Sequence, residues 1–138
     1  MKISTKGRYA LRLMLELAAD NTGHPRSIKE ISQSQGISEK YLEQIISLLN
    51  KAGMVKSIRG AQGGYVLTMK PEEYTVGMIF RVTEGDLAPV KCVSGEEACD
   101  RKANCIPAML YEKINDAVKN VVDTTTLEDL LSWQADNN

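Results

Sequence analysis

The stretch that decides the fold is Ser27-Ile28-Lys29-Glu30-Ile31-Ser32-Gln33-Ser34-Gln35-Gly36-Ile37-Ser38-Glu39-Lys40-Tyr41-Leu42-Glu43-Gln44-Ile45-Ile46-Ser47-Leu48-Leu49-Asn50-Lys51. It is followed by Met54 to Arg59, by Gly60-Ala61-Gln62-Gly63-Gly64, and by Tyr65-Val66-Leu67-Thr68. Ser27 with Glu30 reads as a capping box, each side chain reaching an orphan amide at a helix start. A short helix from Ile28 to about Ser34 follows. Gly36 tolerates the positive φ of a tight interhelical turn. Ser38 then caps a second helix, Glu39 to Lys51, with Tyr41, Leu42, Ile45, Ile46, Leu48 and Leu49 apolar at helical spacing. Gly53 ends it. Two short helices joined by a glycine-containing turn are a helix-turn-helix, and the two apolar runs around the glycine loop predict a β-hairpin directly behind it. A hairpin in that position is a wing. A phosphate-cradling loop is excluded because such a loop must lead into a helix, and this one leads into a strand.

Working outward, Ser4 or Thr5 caps a first helix to about Asp20, with Leu11, Met14, Leu15 and Ala18 on one stripe. Asn21-Thr22-Gly23-His24-Pro25 is turn chemistry, and His24 reads as surface. Lys70 to Glu73 connect to a helix capped by Thr75 and running through Val82. Residues 86–105 carry breaks at Pro89 and Gly95 and read as an irregular loop; a loop of that length in a compact domain is usually functional or disordered. Pro107 suits the first turn of a long helix whose Leu110, Ile114, Ala117, Val118, Val121 and Val122 form one apolar seam. Thr125 with Glu128 predicts a capping box opening a last helix through Trp133. The expected architecture is mainly α with a small β-hairpin. It comprises a winged helix-turn-helix over 1–74 (helix-turn-helix about 28–51, wing about 54–68) and a region 75–138 holding the cysteine loop and a long C-terminal dimerisation helix.

Charge is distributed unevenly. The chain has 17 Lys+Arg and 18 Asp+Glu, a net −1. Through Lys70 the basic residues outnumber the acidic by 11 to 5, and from Pro71 the balance is 6 to 13. Only the first half is suited to facing a polyanion. No apolar run approaches the roughly 20 residues of a membrane span, and no apolar segment follows the basic start as in a signal peptide, so the cytosol is the expected compartment.

In a winged helix-turn-helix the start of the second helix lies nearest the base edges of the major groove. Ser38, Lys40, Tyr41, Glu43 and Gln44 are therefore the candidate readers. Gln44 can pair bidentately with adenine, Glu43 can accept from cytosine, and Lys40 can meet guanine or phosphate. In the wing, Arg59 stands beside Gly60 and Gln62, where the glycines allow close backbone approach and the arginine can enter a minor groove. Lys2, Lys6 and Arg8 read as phosphate contacts, which position without reading sequence.

The three cysteines, Cys92, Cys99 and Cys105, lie within fourteen residues of one another. Three cannot pair completely, and a reducing cytosol disfavours structural disulfides, so the cluster points to ligation. Soft thiolates suit iron, an iron–sulfur cluster or zinc; thiols that sense oxidants directly are the remaining reading. Lys91, Arg101 and Lys102 are cationic neighbours able to depress the thiol pKa values. No cysteine has a histidine base outside a turn, so an enzyme is not expected.

Taken in order, Ser4-Thr5-Lys6-Gly7-Arg8-Tyr9-Ala10, Tyr41-Leu42-Glu43-Gln44, Ser57-Ile58-Arg59-Gly60 with Gly63-Gly64-Tyr65, and Thr125-Thr126-Leu127-Glu128-Asp129-Leu130 resemble the IscR-like family of bacterial repressors (IscR, NsrR and CymR types). The resemblance covers nearly the whole chain. It implies a homodimeric repressor of palindromic double-stranded DNA, joined through the long helix at Leu110, Ile114, Val118 and Val121. It also implies an iron–sulfur cluster on Cys92, Cys99 and Cys105, 2Fe–2S ahead of 4Fe–4S. The fourth ligand is open. Where histidine-using branches carry their ligand this chain has Ala108, and where carboxylate-using branches carry theirs it has Arg8. Glu96, Glu97, Asp100, a partner-subunit group or an exogenous thiol remain. The N-terminal half and the Thr125 segment also resemble the CymR branch, which implies a cluster-free regulator of cysteine and sulfur metabolism controlled by a protein partner. The reading from a different class is a small redox or metal-carrier protein whose basic half binds another protein.

Overall fold

The computed structural model describes residues 2–20, 22–94 and 104–137. Helix α1 (Thr5–Ala19) is capped by Ser4, whose hydroxyl accepts from the Gly7 amide. Helices α2 (Ile28–Gln35) and α3 (Glu39–Lys51) form the helix-turn-helix, with Gly36 between them at φ +67°. The cap at Ser27 is one-sided: its hydroxyl takes the Glu30 amide, but the Glu30 carboxylate is held by Arg26, with Nε at 3.0 Å. Ser38 caps α3 by accepting from Tyr41, and Leu42, Ile45, Ile46 and Leu49 point into the core.

Strands β1 (Val55–Ile58) and β2 (Gly64–Leu67) are the expected wing, paired antiparallel from Val55 opposite Leu67 to Ile58 opposite Gly64. The hairpin is anchored on a second side. Arg26 bridges Tyr65, its amide donating to the Tyr65 carbonyl at 3.0 Å and the Tyr65 amide to the Arg26 carbonyl at 2.8 Å. Gly64 permits this approach, because a Cβ there would strike the Arg26 backbone. The wing is thereby fixed to the residue that leads into α2.

After a 3-10 turn at Pro71–Glu73 come α4 (Val76–Glu84), a second 3-10 turn at Lys91–Val93, α5 (Ile106–Val122) and α6 (Leu127–Asp136). Two expectations shift here. The cap of α6 is Thr126 with Asp129, one residue beyond the expected Thr125 and Glu128, because Thr125 instead donates its hydroxyl to the Val121 carbonyl and closes α5. Helix α6 also runs past Trp133 to Asp136. The starts of α4 and α6 are stitched together by Val76 donating to the Thr125 carbonyl and Leu127 to that of Tyr74.

The main core gathers Ala10, Leu13, Met14 and Leu17 of α1, Ile31, the inner face of α3, Met54 and Val55, and then Tyr74, Ile79 and Leu127. The core of the winged half is thus completed by side chains at and beyond residue 74, because α4 and α6 both pack on α1. A second cluster of Val76, Phe80, Leu87 and Val122 lies under α5. Alongside it Arg81 holds Asp123 in a two-pronged ion pair, and this hydrogen bond keeps the Asp123 carboxyl below its ordinary value.

Helix α5 carries two apolar seams where the sequence suggests one. Ala108 and Val122 are buried, with Tyr111 and Val118 half-buried between them, and this seam faces the helix's own chain. Leu110, Ile114 and Val121 are 57%, 40% and 61% exposed and form the other. Val118 therefore sits on the inner seam, against the second cluster.

Tyr74 is fully buried and its hydroxyl is saturated. It donates to the Met54 carbonyl at 2.6 Å and accepts from the Thr68 and Met69 amides at 2.9 and 3.1 Å. These partners lie just before β1 and just after β2, so one side chain closes the base of the wing. Tyr74→Phe keeps the ring and strands those groups, and unfolding in urea should show a loss of about 1–3 kcal/mol at unchanged m. A midpoint equal to wild type would show that the hydroxyl does not hold the wing.

Candidate nucleic-acid interface

The outer face of α3 begins at its capped end. Ser38, Glu39, Lys40, Glu43 and Gln44 are exposed, directly opposite the buried Leu42, Ile45 and Ile46. Burial of the apolar stripe fixes the rotation of the helix, so the polar residues must face outward. Lys40 and Gln44 are four apart and lie on the same face. The Ser38 hydroxyl accepts the Tyr41 amide and retains its own hydrogen for an acceptor such as phosphate. Tyr41 is placed differently from its neighbours. It is half-buried, edge-on to Tyr9 with ring centroids 5.6 Å apart and planes at 88°, while the Arg12 guanidinium lies 5.4 Å from the Tyr9 centroid. The contact ties the start of α3 to α1, a role that apolar periodicity alone does not reveal.

The wing tip presents Arg59, Gly60 and Gln62, all exposed. Gly60 has φ +117°, a conformation open to glycine, and it accepts a turn bond from the Gly63 amide at 3.0 Å. A Cβ on Gly63 would strike the Ile58 carbonyl, so the tip has no room for a side chain there. Lys2 and Arg8 are exposed and Lys6 is half-buried at the start of α1. Arg8 folds back to donate to the Thr5 hydroxyl at 3.0 Å.

Of the cysteine loop, Cys92 and Cys105 are described and Cys99 lies outside the described residues, as do Glu96, Glu97 and Asp100. Cys92 sits in the turn Lys91–Val93, which packs on α5, and Cys105 is the residue that starts α5. Both thiols are half-buried and neither is in a disulfide. Among the described residues, no three of His, Cys, Asp and Glu converge as a metal site. Position 108, where a histidine ligand would fall, is a buried Ala.

A helix with an outward polar face, preceded by a short helix and followed by a β-hairpin anchored to it, defines a winged helix-turn-helix DNA-binding protein. The model of the Rrf2 family, described as an iron-dependent transcriptional regulator, matches residues 3–132. The chain belongs to the Rrf2 family of DNA-binding transcription regulators. It is 52% identical to the HTH-type transcriptional regulator CymR of Bacillus subtilis over 96% of this chain and 91% of that protein. It is 38% identical to the HTH-type transcriptional regulator IscR of Aliivibrio salmonicida, over 95% of this chain and 77% of that protein. A solved structure of CymR, the global cysteine regulator of B. subtilis, superposes with a TM-score of 0.80 at 51% identity, covering 96% of this chain and 98% of that one. These relatives are transcription regulators and not enzymes, and no described helix is long and apolar enough to cross a membrane.

The expectation that Gln44 on α3 and Arg59 in the wing contact bases predicts the behaviour of two variants. Gln44→Ala and Arg59→Ala should each weaken binding to an operator selected from a random duplex pool by about 1–3 kcal/mol, and relax the preference at one base position. Fluorescence anisotropy on the selected duplex and its single-base variants measures both. Unchanged affinity in the two folded variants rules out docking through these residues.

Proposed function

We propose that this chain is a cytoplasmic repressor that binds a palindromic operator as a homodimer and adjusts that binding to iron–sulfur or redox status through Cys92, Cys99 and Cys105. The observation that carries the reading is where the loop returns. The turn holding Cys92 rests on α5, and Cys105 begins α5, so both ends of the thiol segment are tied to the helix bearing the uncovered seam. The donor set fits a soft metal: two half-buried unpaired thiols at this junction and a third cysteine between them in sequence. Bound there, an iron–sulfur cluster supplies an oxidant-sensitive link among the three thiolates. The chain's own contribution is to hold Cys92 and Cys105 against α5 and to pack α5 through Val118 and Val122 onto α4.

Leu110, Ile114 and Val121 supply the dimer surface, since three large apolar side chains along one helix face leave an unfavourable stripe in water. A two-fold pairing there sets two α3 helices for half-sites about one turn of DNA apart. Under this reading residues 1–74 provide DNA contact and residues 75–138 provide the thiol loop and the dimer helix.

A second reading is favoured by one specific finding, the 52% identity to B. subtilis CymR and the likeness to its structure as a global cysteine regulator. In it the same dimer responds to cysteine supply through a protein partner, without a cluster. Anaerobic reconstitution with iron and sulfide separates the two. The cluster reading expects colour with stoichiometric iron and sulfide, lost in each of Cys92→Ser, Cys99→Ser and Cys105→Ser while the winged half stays folded. Uptake of zinc alone, or of no metal, eliminates it in favour of the second. Dimerisation has its own test. Ile114→Asp places a charge in the exposed seam and should yield a folded monomer by sedimentation at micromolar concentration; a wild-type monomer at that concentration overturns the dimer.

A further inference from the structure

We infer that Glu84 is a positioning residue that docks the basic N-terminal segment, Lys2 to Arg8, for contact with the DNA backbone. The inference rests on the reading that Lys2, Lys6 and Arg8 meet phosphate. Glu84 is the last residue of α4, eighty positions from the segment it holds, and its carboxylate receives two hydrogen bonds from Ser4. The Ser4 amide donates to Glu84 Oε1 at 3.0 Å, and the Ser4 hydroxyl donates to the same oxygen. That hydroxyl in turn accepts the Gly7 amide at 3.1 Å and so caps α1. A chain of hydrogen bonds therefore runs from the end of α4, through the cap, into the first turn of α1.

Gly7 completes the arrangement. It is buried, and a Cβ there would fall on the Glu84 carboxylate and lie 3.3 Å from the Thr83 hydroxyl. The missing side chain is the space into which Glu84 fits. The consequence for DNA is specific. The positive end of a helix is a ready site for a phosphate, and here a carboxylate already stands beside it, bonded to the Ser4 cap. Backbone contact at this end falls to the side chains of Lys2, Lys6 and Arg8, and their placement depends on where Ser4 is pinned. Glu84 also precedes by one residue the Gly85 cap at which α4 ends and the segment toward Cys92 begins, so the N-terminal segment is hung on the element that leads into the thiol loop.

The test uses the full chain and a mixed-sequence duplex of about 30 base pairs, because sequence-independent binding is almost wholly electrostatic and its salt dependence counts phosphate contacts. Affinity is measured across a salt series for the wild type, Glu84→Ala, Ser4→Ala, Glu84→Gln, Lys6→Ala and Arg8→Ala, with folding checked by circular dichroism. Each lost phosphate contact should make the slope of log K against log salt shallower by about 1. Glu84→Ala and Ser4→Ala should both show such a loss although neither removes a positive charge, and Glu84→Gln, which keeps a carbonyl for Ser4, should recover most of it. Loss of packing alone would lower the melting temperature and leave the slope intact. A slope reduced in Lys6→Ala or Arg8→Ala but intact in Glu84→Ala and Ser4→Ala overturns the positioning role and spares the phosphate reading. An intact slope in Lys6→Ala and Arg8→Ala overturns both. Should Glu84→Ala fail to fold, Ser4→Ala carries the same decision, since it removes the hydroxyl that links Glu84 to the Gly7 amide and keeps the carboxylate.

Discussion

The structure depends on one buried hydroxyl. A two-stranded hairpin has too little area to hold itself in water and must be fastened to something rigid. The Tyr74 hydroxyl does this at the open end of the hairpin, where strands begin and end and backbone groups lack ladder partners. One phenol offers one donor and two acceptor positions, and here all three are used on Met54, Thr68 and Met69. The Thr68 hydroxyl adds a bond to the Gly53 carbonyl at 2.6 Å, which ties the same point to the end of α3. The ring sits in the main core and the hydroxyl at its margin, so the wing is coupled to the packing of α1, α3 and α4. Were Tyr74 absent, the wing would keep the Thr68–Gly53 bond and the Arg26–Tyr65 bridge but lose the point that joins the base of both strands to the core.

What the sequence discloses follows from how local each cause is. Helix starts are set within four residues, so Ser27, Ser38 and Thr75 are legible as caps and the helix-turn-helix and wing follow from them. The Thr125-Thr126 pair is the instructive exception. Both threonines are suitable caps, and the choice of Thr126 is made by the end of the preceding helix, where the Thr125 hydroxyl is drawn to the Val121 carbonyl. The Glu30 side chain is similarly claimed by Arg26 from outside its helix. Tyr74, the Arg26–Tyr65 bridge and the Ser4–Glu84 contact were not legible at all. Each joins residues brought together only by the fold, and each is made by a residue whose type has many ordinary uses.

The candidate site shows the same split. Which residues of α3 face outward is a matter of helical period, and the buried stripe leaves Lys40, Glu43 and Gln44 nowhere else to go. Position near the helix start groups Tyr41 with them, but its ring lies against Tyr9, an interaction between helices that periodicity does not encode. The acid and base content of the two halves has a structural counterpart too. Basic residues such as Lys2, Arg8, Lys40 and Arg59 are exposed on the winged half, while α5 is balanced in charge and α6 carries Glu128, Asp129 and Asp136 with no basic residue.

Helix α5 explains why its apolar residues gave a single seam in sequence and two in space. Ala108, Tyr111, Val118 and Val122 fall on one heptad series and Leu110, Ile114, Ala117 and Val121 on the next, offset by a fraction of a turn, and in projection the two merge into one wide stripe. The inner series is satisfied by Phe80 of α4 and by Leu87 just beyond that helix, which cluster with Val122, and by the Arg81–Asp123 pair at the helix end. The outer series is left exposed among the described residues, the small Ala117 having little to bury. A helix that spends half its apolar surface on its own subunit is oriented rigidly with respect to that subunit, so whatever meets the outer half inherits a fixed relation to α4, to α1, and finally to α3. The thiol residue Cys105 starts this same helix and Cys92 rests on it. Under the proposed dimer, a change at the thiols has a short mechanical route to the angle between the two α3 helices, running along an element that is braced on one side and available on the other.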